Sequence, residues 1–354
     1  VRSTELNRDL CAQIRASILL AGPMIARTGE LKLPPPGGDV IGRRRVDTHL
    51  TALRALGAQI EAGRGFEMRA PSLKGAEVFL DEASVTATEN ALMAAATASG
   101  TTVLRNAASE PHVQDLAGCL NAMGARISGI GSNTLVVEGV DSLHGAEVRI
   151  SPDHIEVGSF IGLAAVTHSE LLIRNAAPEN LSMVFIAFQR LGVRCQVLGP
   201  EDVVQEDSIS TDRAGLPDGG RRAPGRHVLV PANQSLRIES DLHNAVPKID
   251  DGPWPAFPSD LMSIALTMAT QCEGTILIHE KMFEGRMFYV DKLISMGARV
   301  VLCDPHRAVV VGPSQLHGER LESPDIRAGM ALLLAALAAE GQSTINNIGQ
   351  IDRG

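Results

Sequence analysis

The sequence predicts an α/β protein of two domains in which the helices are buried and the strands cover them. Three observations lead to this prediction. One pattern recurs along the chain: a helix rich in small residues ends in glycine, a short strand follows, and a second helix ends in a turn of Leu or Met, Gly, and Ala or Val. Some of these helices, such as the one around residues 330–336, are apolar on nearly all sides. The chain of 354 residues is also longer than a domain with a single hydrophobic core usually is.

The repeat can be followed element by element. Its first half, a helix and the strand after it, occurs at residues 84–106, 156–175, 259–279 and 326–347. Its second half ends in turns that contain Gly57, Gly124, Gly192 and Gly297. Glycine just past a helix is typical of a left-handed C-cap. Successive copies lie about 67–70 residues apart except at one interruption, which indicates repeated α/β units.

We expect these units to form two domains. The first domain occupies residues 1–152. Residues 153–230 hold the end of that domain, a hinge region and a polar insertion at about 200–225, and residues 231–354 form the second domain. The insertion is predicted to be a surface loop. The first and last units are incomplete, so we expect the natural chain to continue past both ends.

The composition excludes several classes of function. Aromatic residues make up 3% and the net charge is −9, which argues against a general nucleic-acid binder. The five cysteines are scattered and form no CxxC pair, which indicates a reducing cytoplasm with neither disulfides nor a zinc site. The most apolar run, residues 328–339, is too short to span a bilayer, so no membrane partner is expected.

Two loops interrupt the regular pattern. Residues 34–49 contain three prolines and three glycines, with Asp39 followed by three arginines and a second acid. The prolines exclude a helix or a central strand. Arginines beside a glycine turn commonly hold carboxylate or phosphate, and a solvated surface loop is the alternative. Residues 249–260 form a second proline-rich loop, after which Ser259 or Asp260 is expected to cap a helix.

Both loops and several shorter segments resemble the UDP-N-acetylglucosamine enolpyruvyl transferase family. The resemblance rests on Pro-Gly-Gly-Asp-Val-Ile-Gly at 36–42, Val-Asp-Thr-His at 46–49 and Pro-Ala-Phe-Pro-Ser-Asp at 255–260. Further matches lie at residues 14–18, 83–88, 283–286, 325–327 and 351–354. The matches follow the family's order over nearly the whole chain, apart from the insertion.

This resemblance implies two inside-out α/β barrel domains, each of three units around buried helices, with the active site in the cleft between them. It also implies transfer of the enolpyruvyl group of phosphoenolpyruvate to the 3-hydroxyl of UDP-N-acetylglucosamine with release of phosphate, the first committed step of peptidoglycan synthesis. Both substrates are small molecules, and neither a metal nor an organic cofactor is implied.

The acid and the base of the family match two aspartates. Asp39 stands where most members carry cysteine, and the resemblance implies that it protonates the methylene carbon; burial that raises its pKa would allow this. Because a carboxylate cannot form the thioether that cysteine forms with fosfomycin, we expect insensitivity to that antibiotic. Asp260 matches the residue near the sugar hydroxyl and is the expected base. The alternatives are a turn aspartate at Asp39 and a plain helix cap at Asp260.

Charged residues that match the phosphoenolpyruvate site follow from the same resemblance. Arg44 and Arg353 match positions that hold this substrate, and Arg327 matches an arginine on its phosphate side. Asp325 matches an acid that orients the network. Surface solvation or structural ion pairs are the alternative for the arginines.

The resemblance also implies a set of contacts to the nucleotide sugar. Direct contacts to the nucleotide sugar are implied for Arg15, Ser84, Val85 and Phe283. Val46 and Asp47 match the segment under the uracil. Arg286 matches a cleft residue whose role the resemblance does not specify. A further residue, His49, is either a packed structural histidine or a ligand contact.

The sequence departs from the family's pattern at three places. Arg45 stands where Pro is usual and Thr86 where Gly is usual, which puts local backbone contacts to the nucleotide in doubt. The family's N-terminal Lys-Asn pair has no counterpart, so the chain as given is expected to be an inactive or unstable fragment. Two alternatives stay open: a shikimate-pathway enolpyruvyl transferase, and a non-catalytic homologue that binds nucleotide sugar and regulates a partner.

Overall fold

The computed structural model of the chain describes residues 1–38, 41–202 and 225–353. Asp39 and most of the expected insertion lie outside these residues. The described chain divides into two compact units. The first unit contains residues 1–151 and 253–255, and the second contains residues 152–252 and 256–354.

The first unit combines helices with two sheets. Its helices are α1 (Arg8–Cys11), α2 (Ala21–Thr28), α3 (Asp47–Ala55), α4 (Val85–Ala95) and α5 (Pro111–Ala122), with a 3-10 helix at Arg15–Leu20. Its strands are β1 (Glu30–Leu33), β2 (Gln59–Ala62), β3 (Phe66–Arg69), β4 (Glu77–Phe79), β5 (Thr101–Arg105), β6 (Arg126–Ser128) and β7 (Thr134–Glu138). One sheet is antiparallel in the order β1-β3-β2. The other has the order β4-β5-β7-β6, with only β4 and β5 parallel.

Helix α4 lies in the middle of the first unit. Eight of its eleven residues are buried, since its alanine-rich sequence lets neighbours approach on every side. The approach of α2 is so close that a Cβ atom at Gly22 would lie 2.3 Å from the backbone oxygen of Asn90. The Gly22 N–H instead donates to Asn90 Oδ1 at 2.7 Å. A buried polar residue therefore joins the two helices.

The second unit repeats this construction. Its helices are α6 (His154–Val166), α7 (Ser182–Gln189), α8 (Met262–Ala269), α9 (Val290–Ser295) and α10 (Ile326–Ala338), with 3-10 helices at Pro178–Asn180, Leu242–Asn244, Ser259–Leu261 and Ile348–Arg353. Its strands are β8 (Leu171–Ile173), β9 (Gln196–Leu198), β10 (His227–Val230), β11 (Lys248–Asp250), β12 (Gly274–His279), β13 (Val300–Asp304), β14 (Arg307–Gly312), β15 (Arg320–Glu322) and β16 (Thr344–Asn346). They pair in the orders β8-β10-β9, β11-β12-β14-β13 and β15-β16.

The sheet topology agrees with the predicted repeat. The sheet β11-β12-β14-β13 has the same order and the same strand directions as β4-β5-β7-β6, with one parallel pair followed by antiparallel neighbours. Every residue of α8 is buried. The repeat turns also have the expected left-handed glycines, with φ values of 81–102° at Gly57, Gly124, Gly192 and Gly297. Buried helices covered by strands are therefore confirmed as the construction of both units.

The structure divides the chain differently from the domain boundaries expected from sequence. Residues 153–230, assigned there to the end of the first domain, its hinge and the insertion, belong to the second unit in their described part. The reason is the packing of α6, whose Ile161 lies in one core with Leu266 and Leu332. A Cβ atom at Gly162 would meet Ile264 Cγ2 at 2.6 Å. Helix α6 is thus a central element of the second core.

Candidate active site

Asp260 of the second unit holds two arginines. It lies in the 3-10 helix Ser259–Leu261, directly before α8. Its Oδ2 forms an ion pair with Arg327 Nη2 at 2.9 Å, and its Oδ1 accepts a hydrogen bond from Arg286 Nη2. The Asp260 side chain keeps 34% of its surface exposed, so this three-residue cluster opens to solvent. Paired guanidinium groups around one carboxylate make a site that can also take an anionic ligand.

The two arginines decide the charge of Asp260. Burial disfavours its ionised form, but Arg286 first and Arg327 second outweigh that effect and hold the pKa of Asp260 below its usual range. Arg286 lies over the ring of Phe283, with 5.3 Å from the guanidinium carbon to the ring centroid. Its Nε is buried and has no hydrogen-bond acceptor among the described residues. A buried donor without an acceptor marks a place for a ligand atom or a water molecule.

Asp325 fixes the position of Arg327. It is the N-cap of α10, and its Oδ1 accepts from the backbone N–H groups of Arg327 at 2.9 Å and Ala328 at 3.0 Å. The Ser263 hydroxyl donates to the backbone oxygen of Arg327 at 3.0 Å. Arg327 is therefore held through its backbone from both sides.

Ser259 does not cap the helix that follows it, and neither does Asp260. The residue before α8 is Leu261, which makes no side-chain cap. The Ser259 hydroxyl instead donates to the buried carboxyl of Glu280 at 2.8 and 3.0 Å. The expected cap role was wrong because the carboxylate of Asp260 is occupied by arginines and the hydroxyl of Ser259 by Glu280.

In the first unit, Arg15 holds the backbone of the segment that follows the Asp39 loop. Its Nη2 donates to the carbonyl oxygens of Arg44 at 2.7 Å and Arg45 at 3.1 Å. Burial, followed by the charge of Arg44, lowers the pKa of Arg15 from its usual value. The loop is also attached at its start, where the Gly37 N–H donates to the Cys11 oxygen at 3.0 Å. A Cβ atom at Gly37 would lie 1.7 Å from the Ala12 oxygen, so glycine is required there for close approach.

Arg45 takes part in an ion-pair network on the same segment. Its Nε lies 3.1 Å from Asp47 Oδ2 and its Nη2 lies 2.7 Å from Asp81 Oδ2. Thr48 donates to the other oxygen of Asp81 at 2.8 Å. Arg45 thus ties the segment that follows the Asp39 loop to Asp81.

The hydrogen bonds around His49 determine its tautomer. The Asn90 amide nitrogen lies 2.8 Å from His49 Nδ1 and 2.9 Å from the Ile18 oxygen, so the amide donates to both and Nδ1 is an acceptor. Nε2 therefore carries the proton and donates to Thr86 Oγ1 at 3.1 Å. Burial, then the charge of Arg15, lowers the pKa of His49 to about 4. His49 is a neutral, packed histidine that joins α3 to the start of α4.

Comparisons with known proteins place the chain in a family. The family model described as EPSP synthase (3-phosphoshikimate 1-carboxyvinyltransferase) matches residues 1–354. The UDP-N-acetylglucosamine 1-carboxyvinyltransferase of Bradyrhizobium diazoefficiens is 59% identical over all 354 residues, which cover 76% of that protein. The corresponding protein of Treponema denticola is 54% identical, again over the whole chain and 77% of its own length. The chain belongs to the UDP-N-acetylglucosamine 1-carboxyvinyltransferase family.

Solved structures agree with this family's fold. The enolpyruvyl transferase NikO from Streptomyces tendae superposes with a TM-score of 0.79 at 26% identity, covering 99% of this chain and 76% of NikO. An EPSP synthase from Acinetobacter baumannii, at 19% identity and a TM-score of 0.66, shares the fold over 95% of this chain and 74% of its own. The α/β fold and the enolpyruvyl transferase class expected from sequence are both confirmed.

The structure brings the candidate residues of this carboxyvinyltransferase family into local groups. Asp260, Arg286, Arg327 and Phe283 lie together, with Asp325 beneath Arg327. Arg15 contacts the Arg44 backbone. Ser84 caps α4 by accepting from the Ala87 N–H at 3.4 Å, Val85 is the first residue of that helix, and Val46 directly precedes α3. Asp39 and the side chain of Arg353 lie outside the description.

Three further residues near these groups were not predicted from sequence. They are Glu280 and Asp251, buried behind the Asp260 cluster, and Asp81, which pairs with Arg45. Glu280 and Asp251 each directly follow a strand whose last residues are known only once the strands are paired. Among the described residues no group of three or more His, Cys, Asp or Glu side chains could hold a metal, and no helix is long and apolar enough to cross a membrane.

Proposed function

We propose that the protein transfers the enolpyruvyl group of phosphoenolpyruvate to the 3-hydroxyl of UDP-N-acetylglucosamine and releases phosphate. The supporting observation is the Asp260–Arg286–Arg327 cluster, in which a partly exposed carboxylate and two guanidinium groups share one opening. Fixed cations of this kind stabilise the phosphate and carboxylate charges of phosphoenolpyruvate in the transition state. The family membership selects the acceptor, since its relatives are named for UDP-N-acetylglucosamine.

The proposed reaction has an addition and an elimination step. Asp260 accepts the proton of the sugar 3-hydroxyl while the hydroxyl oxygen bonds to C2 of phosphoenolpyruvate, and the Asp39 carboxyl protonates C3. In the elimination step the Asp39 carboxylate takes a proton back from C3 while phosphate leaves C2 with the C–O electron pair, which restores the double bond. The proton on Asp260 passes to the departing phosphate, so both acids return to their starting states. General acid and base groups contribute roughly 10²–10⁴-fold each.

The depressed pKa of Asp260 suggests how its basicity is controlled. A carboxylate held by two arginines is a weak base. We propose that the phosphate of phosphoenolpyruvate pairs with Arg327 and neutralises its charge, which leaves Asp260 with one effective guanidinium partner instead of two. The pKa of Asp260 then rises, because the stabilising positive charge beside it is reduced. The base would become effective when the phosphate arrives.

Asp39 is the proposed acid on the first unit. The segment after Asp39 is held by Arg15 and by the ion pairs of Arg45. The segment before it is held by the hydrogen bond from Gly37 to Cys11. A carboxyl group supplies a proton without a thiol, and we propose that the enzyme is insensitive to fosfomycin for this reason. We place the reaction in the cytoplasm as part of peptidoglycan synthesis and cell-wall formation, in keeping with cysteines that are all free.

Phosphate release by the full-length protein with both substrates tests the proposal. We expect activity with UDP-N-acetylglucosamine, none with shikimate 3-phosphate, and a loss of about 10²–10⁴-fold in kcat for Asp260→Asn. Asp291→Asn, an exposed acid on α9, is the control and should keep full activity. Turnover of shikimate 3-phosphate would show instead that the protein is a shikimate-pathway enolpyruvyl transferase. Binding of the nucleotide sugar without turnover would support the non-catalytic alternative.

A further inference from the structure

We infer that Asp251 and Glu280 share one proton inside the second unit, and that this carboxyl pair positions the contact between Asp260 and Arg286. The catalytic part of this inference rests on the proposed function, whereas the shared proton does not. Glu280 is a positioning residue in this role, since it acts through Ser259 and the loop 281–286.

The strand pairing places the two acids side by side. Strands β11 and β12 are parallel, with Asp250 opposite His279 in the register. Asp251 and Glu280 are the next residues of the two strands, and both have 0% of their surface exposed. Two carboxylates buried together without water repel each other, which is why such pairs retain a proton.

The hydrogen bonds leave one position for that proton. Asp251 Oδ1 accepts from the backbone N–H of Lys281. Its Oδ2 is buried, and no N–H or O–H group of the described residues donates to it when both acids are ionised. The neighbouring Glu280 carboxyl is within hydrogen-bonding contact. A proton on Glu280 would therefore give Asp251 Oδ2 the hydrogen-bond donor that it lacks.

The other side of Glu280 is occupied by donors. Its Oε1 accepts from the backbone N–H groups of Met282 at 3.3 Å and Phe283 at 3.1 Å, and from the Ser259 hydroxyl at 2.8 Å. Burial first, and then Asp251, raise the pKa of Glu280 to about 9, while Ser259 and Arg286 act in the opposite direction. Tyr289 is buried nearby, and His306 Nδ1 lies 2.7 Å from the Glu280 backbone oxygen.

This arrangement ties both sides of the Asp260–Arg286 contact to one side chain. Ser259 precedes Asp260 in the same 3-10 helix, and Met282 and Phe283 lie in the loop between β12 and α9 that also carries Arg286. A shift of Glu280 would therefore move the carboxylate and the guanidinium relative to each other. Small displacements at a reacting centre cost large factors in rate.

Crossed substitutions test the shared proton. In Glu280→Gln the amide NH₂ can donate to Asp251 and its oxygen can accept from Ser259 and the loop, so we expect kcat within about threefold of wild type. In Asp251→Asn the amide donates to an ionised Glu280, with the same result. The double variant puts two NH₂ groups face to face. We expect it to lose about 10–100-fold in kcat beyond the product of the single effects.

Two readouts separate positioning from a general loss of folding. Thermal unfolding identifies conditions in which each variant is folded, and kcat is compared there at saturating substrate. Glu89→Gln, which changes a buried acid of the first unit, is the matched control and should retain wild-type kcat. If the double variant lowers only its melting temperature, the positioning role is excluded. If the effects of the two substitutions on kcat are additive and both single variants are more stable than wild type, removal of either negative charge relieves repulsion. That result would show that both carboxyl groups are ionised and would overturn the shared proton.

Infrared spectroscopy tests the proton without reference to activity. Because Glu89 is a second buried acid with a raised pKa, the spectra are compared in the Glu89→Gln background. There the protein at neutral pH should show the carbonyl stretch of a buried protonated carboxylic acid, and adding Glu280→Gln should remove it. If this band is present but wild type does not release phosphate, the proposed function fails while the shared proton stands. If the band is absent and wild type is active, only the further inference fails.

Discussion

Arg327 Nη2 lies 2.9 Å from Asp260 Oδ2, and this ion pair joins the start of α10 to the turn before α8. The two residues are far apart in sequence, yet Asp325 and Ser263 hold the Arg327 backbone in place for this contact. Only part of each side chain is exposed, 26% for Arg327 and 34% for Asp260. The pair is thus a fixed cation beside a fixed anion at an open surface.

Arg327→Gln is expected to weaken the handling of phosphoenolpyruvate selectively. Loss of a fixed cation at a phosphate should lower kcat/KM for phosphoenolpyruvate by about 10²–10³-fold. The KM for UDP-N-acetylglucosamine should change little. Steady-state kinetics with each substrate varied in turn measures the difference. Arg320→Gln, an exposed arginine on β15, is the control. Equal losses for both substrates would contradict a phosphate-side role.

Asp39→Cys is expected to make the enzyme sensitive to fosfomycin. The introduced thiolate attacks the epoxide carbon and opens the ring, whereas the carboxylate of wild type does not form a stable adduct. Time-dependent inactivation and a mass increase on the peptide that carries the introduced thiol check this result. Cys303→Ser in the same background removes an exposed thiol and should leave the inactivation unchanged. Covalent modification of Asp39 in wild type would disprove the expected insensitivity.

His49 is expected to make the first unit sensitive to acid. Its pKa is about 4 in the fold, below the 6.5 of an ordinary histidine. Because the unfolded chain binds this proton more readily, stability is complete above about pH 6.5 and decreases as the pH falls through about 4. The loss is on the order of 3 kcal/mol.

Chemical denaturation between pH 4 and 7 measures the effect. His49→Gln cannot titrate, so its curve should be flatter than that of wild type over this range. His112→Gln, at an exposed position of α5, serves as the control. Parallel curves for wild type and His49→Gln would show that this histidine does not cause the acid sensitivity.

Glu89 is expected to have the opposite pH dependence. Burial, then the neighbouring Glu110, raise its pKa from 4.5 to about 7. Stability from the protonated form is therefore complete below about pH 4.5 and is lost as the pH rises through 7, by an amount on the order of 3 kcal/mol. Glu89→Gln should remove this decline in unfolding measurements between pH 5 and 9. A steeper decline in the variant would disprove it.

The repeat could be predicted from sequence because it depends on local chemistry. Glycine turns such as Gly57 and small-residue helices such as α8 are encoded by neighbouring residues, and both were found where expected. The domain division was not predictable in the same way. Whether α6 packs with earlier or later helices depends on contacts such as that of Gly162 with Ile264, which no local pattern specifies.

The candidate site shows the same distinction. The family resemblance identified Asp260, Arg286 and Arg327 by their positions in short segments. It gave no information about charge, and the low pKa of Asp260 follows from two guanidinium groups that approach from different elements. The expected helix cap at Ser259 was wrong because a cap is a local rule, while Glu280 competes for the hydroxyl through tertiary contact.

By itself, the sequence determined the repeated α/β units, the family and the candidate residues, because these depend on residue type and on spacing along the chain. The tertiary structure alone decided which carboxyl groups are buried together, which arginines hold Asp260, and that His49 is packed against Asn90 and Thr86. Those properties depend on burial and on neighbours distant in sequence, since ionisation responds to every charge and hydrogen bond within a few ångströms.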